Sequence, residues 1–149
     1  RSSAASDVYK RQDWGYLTQK GKRVYNARSE TLLEKPLFGK DFVQNRCVIP
    51  VTGFCEWDGD GTGWDFLPQE EEMLYLAGVC RKKAEGWEAT VVTEHASGCV
   101  GEIHHRTPLI LSGENLRQWL YDEAQARQFL EEAKERVLLK RKKMEGETL

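Results

Sequence analysis

Arg46-Cys-Val-Ile-Pro-Val-Thr-Gly-Phe-Cys-Glu-Trp57 is the stretch on which the fold turns. Cys47 to Val51 and Phe54 to Trp57 are apolar runs with β-branched and aromatic residues, the composition of strands. Pro50 and Gly53 interrupt them and mark a bend or bulge, since proline cannot donate to a ladder and glycine has no side chain to pack. Asp58-Gly-Asp-Gly-Thr-Gly63 follows as a turn cluster. Downstream, Leu74 to Cys80 and Glu88 to Thr93 are β-rich runs separated by a charged, Gly-containing loop, the pattern of a hairpin or meander. Upstream, Val24 to Ala27 reads as a short strand, and Thr31-Leu-Leu-Glu34 as a capping box opening a brief helix before Pro36. Ser112 to Leu139 reads as mostly helical, with Ser112 as N-cap and breaks around Asp122. With no internal repeat and no domain-sized linker, the order predicts a mixed α+β fold around a mainly antiparallel sheet.

A chain of 149 residues is the size of one domain with one hydrophobic core. Its net charge of −2 does not announce a nucleic-acid binder, so any DNA contact has to come from a local basic face. No apolar run approaches a membrane span and the first residues lack a signal peptide's apolar segment, which predicts a soluble, cytoplasmic protein. The four cysteines contain no Cys-x-x-Cys pair and read as reduced thiols. Five tryptophans are many for this length and serve either core mass or base stacking.

Two further segments set polar groups in strand-like surroundings, Asn26-Ala-Arg-Ser-Glu-Thr31 and Ile103-His-His-Arg-Thr-Pro108. In an extended chain alternate side chains share a face, so Asn26 and Arg28 point one way with Ala27 behind them. His104 pairs with Arg106 in the same manner, and His105 is then directed away as a surface residue. Glu56 lies in an apolar strand, where a carboxylate costs several kcal/mol unless it is paired or sits in a pocket. It is either the ion-pair partner of Arg28 or Arg106, or a catalytic carboxylate; burial would raise its pKa and a nearby arginine would lower it. His104 is either a hydrogen-bonded core histidine or an acid/base, and Asn26 either ties two strands together or lines a pocket. Arg28 and Arg106 are structural partners or bidentate clamps on phosphate oxygens. An amide, two guanidiniums, an imidazole and a carboxylate can together hold an anionic substrate and move protons.

Cys99, Glu102, His104 and His105 fall within seven residues, but a strand directs only some of them to one centre and the spacing is not that of a zinc site. No metal is expected. Cys55 is a poor papain-like nucleophile, because it faces away from the side that Glu56 occupies.

The wording and order of these segments resemble the SRAP family, the SOS-response-associated peptidase or abasic-site-processing domain. Its hallmarks are an Asn-Ala-Arg-Ser-Glu-Thr run, an Arg-Cys-(apolar)-Pro…Gly-Phe-Tyr-Glu-Trp strand, an Ala-Gly strand, a Thr at a strand end and an Ile-His-x-Arg-Met-Pro segment. They are matched here by Asn26 to Thr31, Arg46 to Trp57, Ala77-Gly78, Thr93, and Ile103 to Pro108 followed by Leu109-Ile-Leu111. The similarity runs from Trp14 to Tyr121; each motif is weak alone, and five in order are specific.

The resemblance implies a barrel-like β core with peripheral helices, a helical C-terminal segment, and chemistry on abasic sites in single-stranded DNA. A cysteine exposed at the mature N-terminus, freed by autocatalytic loss of the initiator Met, traps the ring-opened sugar as a thiazolidine DNA–protein crosslink. By the same resemblance Glu56 handles the proton on the attacking amine, His104 acts on the sugar's ring oxygen and the Schiff-base step, and Asn26 lines the pocket beside the nucleophile. Arg28, Arg106 and Thr93 are the implied DNA contacts; an ordinary strand-end role for Thr93 stays open. No cofactor is implied, and the expected state is a monomer, nucleoid-associated if bacterial.

The chain departs from this pattern at its start. Arg1 to Gln12 resembles nothing in the family and reads as foreign, disordered sequence, joined to a truncated domain over residues 13–139 and a basic then acidic tail over 140–149. The family's Met-Cys-Gly-Arg opening is absent, and none of Cys47, Cys55, Cys80 and Cys99 lies near the N-terminus. The expectation is an intact protein that crosslinks abasic sites and a chain that lacks its nucleophile. The alternative is a non-covalent single-stranded DNA-binding module or an inactive fragment. Cys55 stands where the family has Tyr and Thr107 where it has Met, both read as packing changes. Trp14-Gly15 resembles a family Trp-Gly and is expected in the core.

Overall fold

The computed structural model describes residues 12–132 and 136–144. The reading of residues 1–11 as foreign and disordered, and of 145–149 as an acidic tail end, lies outside the described residues. The frame is the expected hairpin, longer at both ends than its apolar runs. Leu74–Lys83 (β8) and Gly86–His95 (β9) pair antiparallel from Gly78↔Val91 to Lys83↔Gly86. Gly86 closes the turn at φ 142°, a conformation open to glycine and strained for other residues.

Strand β9 is paired along both edges. One edge carries β8 and then Arg106–Pro108 (β10), antiparallel with Arg106↔His95 and Pro108↔Thr93. The other carries Gln12–Trp14 (β1) and Asn26–Arg28 (β4), both parallel to it. Arg46–Val51 (β5) and Ile110–Leu111 (β11) pair antiparallel with β8 and complete a seven-stranded sheet. Phe54–Trp57 (β6), Gly63–Leu67 (β7) and Leu139–Lys142 (β12) form a second, three-stranded sheet. Tyr16–Leu17 (β2) and Arg23–Val24 (β3) make a small hairpin. The bend at Pro50 and Gly53 is thus where the chain leaves one sheet for the other. The fold is α+β and mainly antiparallel as expected, with the sheets left open rather than closed into a barrel.

Alternation along the strands divides the core in two. Ala27, Ala77, Val79 and Val92 meet Phe42, Trp119, Phe129 and Leu130. These last come from helices Gly39–Gln44 (α1), Leu116–Tyr121 (α3) and Glu123–Glu131 (α4); a one-turn helix, Gly98–Gly101 (α2), lies between β9 and β10. On the opposite face Leu74, Leu76, Val91 and Ile110 pack with Phe66 and the stacked Phe54, so the second sheet covers that side. Burying one such large apolar side chain contributes about 1.5–3 kcal/mol. Arg46, quoted at the outset only as part of a motif, binds the layers by donating to the carbonyls of Phe42 at 2.7 Å and Trp119 at 2.5 Å. Those acceptors are carbonyls near the ends of α1 and α3, which lack intrahelical partners and favour a cation.

Several expectations change. The helical stretch ends at Glu131, and Leu139–Lys142, read as helix end and basic tail, is a strand on the edge of β7. Asp122 does break the helices, capping α4 by accepting from Gln125 N at 3.1 Å, whereas the residue before α3 is Asn115, not Ser112. Thr31 makes no side-chain cap, and only a 3₁₀ turn, Leu32–Glu34, follows it. Trp14 is not core: it is 46% exposed, and Gly15 at φ 81° makes the bend behind it. Trp57 is exposed as well, while Trp119 is fully buried. Among the described residues no helix is long and apolar enough to cross a membrane.

Candidate active site

The register of three strands builds one wall of a cleft. Arg28, Thr93 and Pro108 lie opposite one another across β4, β9 and β10, so their side chains share a face. Asn26 is two residues from Arg28 and Arg106 two from Pro108, which puts both on that face, while Ala27 between the first pair is buried beneath. The other wall comes from the second sheet, where Glu56 on β6 stands opposite Trp64 on β7. The resulting cleft of about 210 Å³ is lined by Asn26, Arg28, Glu56, Thr93, His104, Arg106, Thr107 and Pro108. All six residues singled out from the sequence therefore line one cavity.

Within it, His104 Nδ1 lies 3.7 Å from Glu56 Oε2, close enough for electrostatic coupling and longer than a direct hydrogen bond. Nδ1 also lies 3.1 Å from both the N–H and the carbonyl oxygen of Arg106. The nitrogen can accept from one or donate to the other, so the ring keeps a backbone anchor with or without a proton there. Burial pushes the Glu56 carboxyl above its usual range, and His104 beside it works in the opposite direction. That is the state of a group able to exchange a proton near neutrality.

Glu56 has no ion pair with either arginine among the described residues. Arg28 is exposed on β4 and has no side-chain partner there, leaving its charge open to a ligand. Arg106 is 8% exposed and held end-on by Glu30, with Nη1–Oε1 at 2.9 Å and Nη2–Oε2 at 3.0 Å. Its Nη2 also donates to the carbonyl oxygen and hydroxyl of Thr93, at 2.9 and 3.0 Å. Burial would raise the Glu30 pKa, but the Arg106 hydrogen bonds, with backbone help, hold it below the usual carboxylate range. Sequence reasoning passed over Glu30 although it stands inside the quoted Asn26–Thr31 motif. A buried arginine must have an acid, and the sequence suggested Glu56 for that part.

His105 also differs from expectation. Its ring is not directed away but packs beside that of His104, centroids 4.5 Å apart, because β10 begins only at Arg106 and the two histidines are not in extended strand. Cys55 does face away from Glu56, its thiol donating to the buried Asp65 at 2.8 Å. Burial and that acid raise the Cys55 pKa. None of the four cysteines lines the cleft. Among the described residues no group of three or more His, Cys, Asp or Glu is placed to hold a metal ion.

The sequence and fold have relatives. The family described as SOS response associated peptidase (SRAP) matches residues 3–145. The abasic site processing protein YoqW of Bacillus subtilis is 33% identical over 72% of this chain and 52% of its own length. The abasic site processing protein HMCES of Gallus gallus is 33% identical over 66% of this chain and 38% of its own. The chain thus spans about half or less of the length of these curated relatives. Among solved structures, a protein from Bacteroides thetaiotaomicron superposes with a TM-score of 0.62 at 26% identity, over 70% of this chain and 52% of that one. A phage-related protein from Bordetella bronchiseptica shares the fold, with a TM-score of 0.71 at 21% identity over 87% of this chain and 68% of that one. With a match over nearly its whole length and the motif residues gathered in one cleft, the chain belongs to the SRAP family.

Proposed function

We propose that the protein represented by this chain processes abasic sites in single-stranded DNA by covalent capture. In the proposed reaction an N-terminal cysteine, freed by removal of the initiator Met, attacks the ring-opened sugar aldehyde with its amine. Loss of water gives the Schiff base, and addition of the thiol to that carbon closes a thiazolidine. Glu56 takes the proton from the attacking amine, a role suited to a carboxyl whose pKa burial has raised. His104 delivers protons to the sugar's ring oxygen and to the departing hydroxyl, with its Nδ1 anchored to the Arg106 backbone in either protonation state. Asn26 lines the pocket beside the nucleophile, and Arg28 meets the phosphates. The protein acts as a monomer in the compartment that holds the DNA.

The observation that carries this reading is the convergence of Glu56 and His104, supplied by two different sheets, onto a cleft that also holds Asn26 and Arg28. The test is a chain given a Met-Cys start and incubated with an oligonucleotide carrying one abasic site. A heat-stable shifted band on a denaturing gel, lost on Cys→Ala at the new start, is expected. Binding without any covalent band would favour a non-covalent single-stranded DNA-binding module.

A further inference from the structure

Arg106 and Arg28 share the cleft, yet their electrostatic situations are opposite. The terminal nitrogens of Arg106 are held by both oxygens of Glu30 and by Thr93, and its Nε is buried without a hydrogen-bond partner. The pair is nearly sealed from water on the Arg106 side, whose side chain is 10% exposed. Glu30 is fixed in turn, accepting from Ser29 Oγ at 3.2 Å, with His95 Nε2 at 3.7 Å. An end-on, two-bond carboxylate–guanidinium contact is the strongest form of this pair, and taking away the carboxylate would leave a buried, uncompensated charge.

We propose that Glu30 is a positioning residue of the cleft, which neutralises Arg106 and pins it against Thr93, so that Arg28 is the cation the cleft presents to a DNA phosphate. The inference rests on the cleft being a DNA site. Its consequence is that Arg106 shapes the wall and holds Thr93 and the His104 anchor in place, without contributing to counterion release. A sequence reading of the same arginine as a phosphate clamp predicts the reverse.

The two are separated by the salt dependence of non-covalent binding to an undamaged single-stranded oligonucleotide. Each phosphate contact on single-stranded DNA contributes a slope of about −0.7 in log K against log salt, roughly a 2.5-fold loss of affinity between 50 and 200 mM. Arg28→Ala should reduce the slope by that amount. Glu30→Gln, which unmasks the Arg106 charge, should steepen it by a similar amount and tighten binding at low salt, a change that a merely structural role would not produce. Glu30→Asp should restore the original slope. The double variant Glu30→Gln with Arg106→Gln removes both charges and the risk of an unpaired buried cation, and it should leave the slope as it was. A double variant that folds but loses about 0.7 from the slope overturns the proposal and makes Arg106 a phosphate contact. Binding too weak to measure in the unsubstituted chain would refute the DNA reading of the cleft, and this proposal with it.

Discussion

Glu56 tests the chemistry most directly at the scale of single residues. Glu56→Gln keeps shape and hydrogen bonding but removes the proton acceptor, so crosslinking by the Met-Cys form should slow by roughly 10²–10⁴-fold with little change in DNA affinity. Because burial raises its pKa, the rate should climb with pH through a value above the ordinary carboxylate range, and the Gln variant should lose that limb. A full rate with Gln in place would remove Glu56 from the mechanism. Glu88 is the contrasting acid: it is 3% exposed, and hydrogen bonds from Arg81 and the Leu17 N–H outweigh burial to hold its carboxyl low. Its stabilisation is therefore present above the pKa of an unfolded glutamate and is lost as pH falls through the lower folded value. Glu88→Gln should cost roughly 2–3 kcal/mol in urea unfolding at about pH 7 and much less at about pH 3. The cleft residues were legible because side chains of unlike chemistry stood in short motifs with period-two spacing. Glu30 was not, because nothing in one sequence says which acid a buried arginine will meet.

Elements show a different balance. The hairpin of β8 and β9 was plain from its apolar runs, whereas β1, β4 and β10 have three residues each, too short for any period to register. Strand β12 was hidden for another reason: four polar, exposed positions look like a solvated tail, and they form a strand only because β7 offers an edge. Its anchor is Asp65, fully buried on β7, which takes Arg141 at 3.2 Å and Lys143 at 3.6 Å. Arg141 is half exposed, so the gain is modest; Asp65→Asn should cost about 1–2 kcal/mol. Faster hydrogen exchange at the amides of Leu139–Lys142, with β8 and β9 unaffected, is the expected signature. In the middle of β8, a methyl at Gly78 would stand 2.8 Å from Ile49 Cδ1 and 3.0 Å from the Thr90 carbonyl oxygen. Gly78→Ala should therefore lower stability by about 1–3 kcal/mol, read as an earlier denaturation midpoint.

For the whole molecule, net charge −2 conceals the distribution that matters, since Arg106 is matched by Glu30 and Arg28 is left open. All four cysteines lie away from the cleft, so the 149-residue chain should give no heat-stable adduct with abasic DNA. A peptide carrying the crosslink at Cys47, Cys55, Cys80 or Cys99 would overturn that placement. The strand that organises everything also sets a timetable. β1 and β4 find their partners only on β9, with Gln12 opposite Trp87 and Arg28 opposite Thr93. During synthesis these early strands leave the ribosome with no edge to join, and the far side of β9 stays vacant until β10 follows. Pairings so distant in sequence close slowly, and unpaired edges meanwhile invite other chains. A nascent chain halted before His95 would expose those edges to chaperones and proteases, and release of the next few residues would turn the same segment into the centre of the sheet.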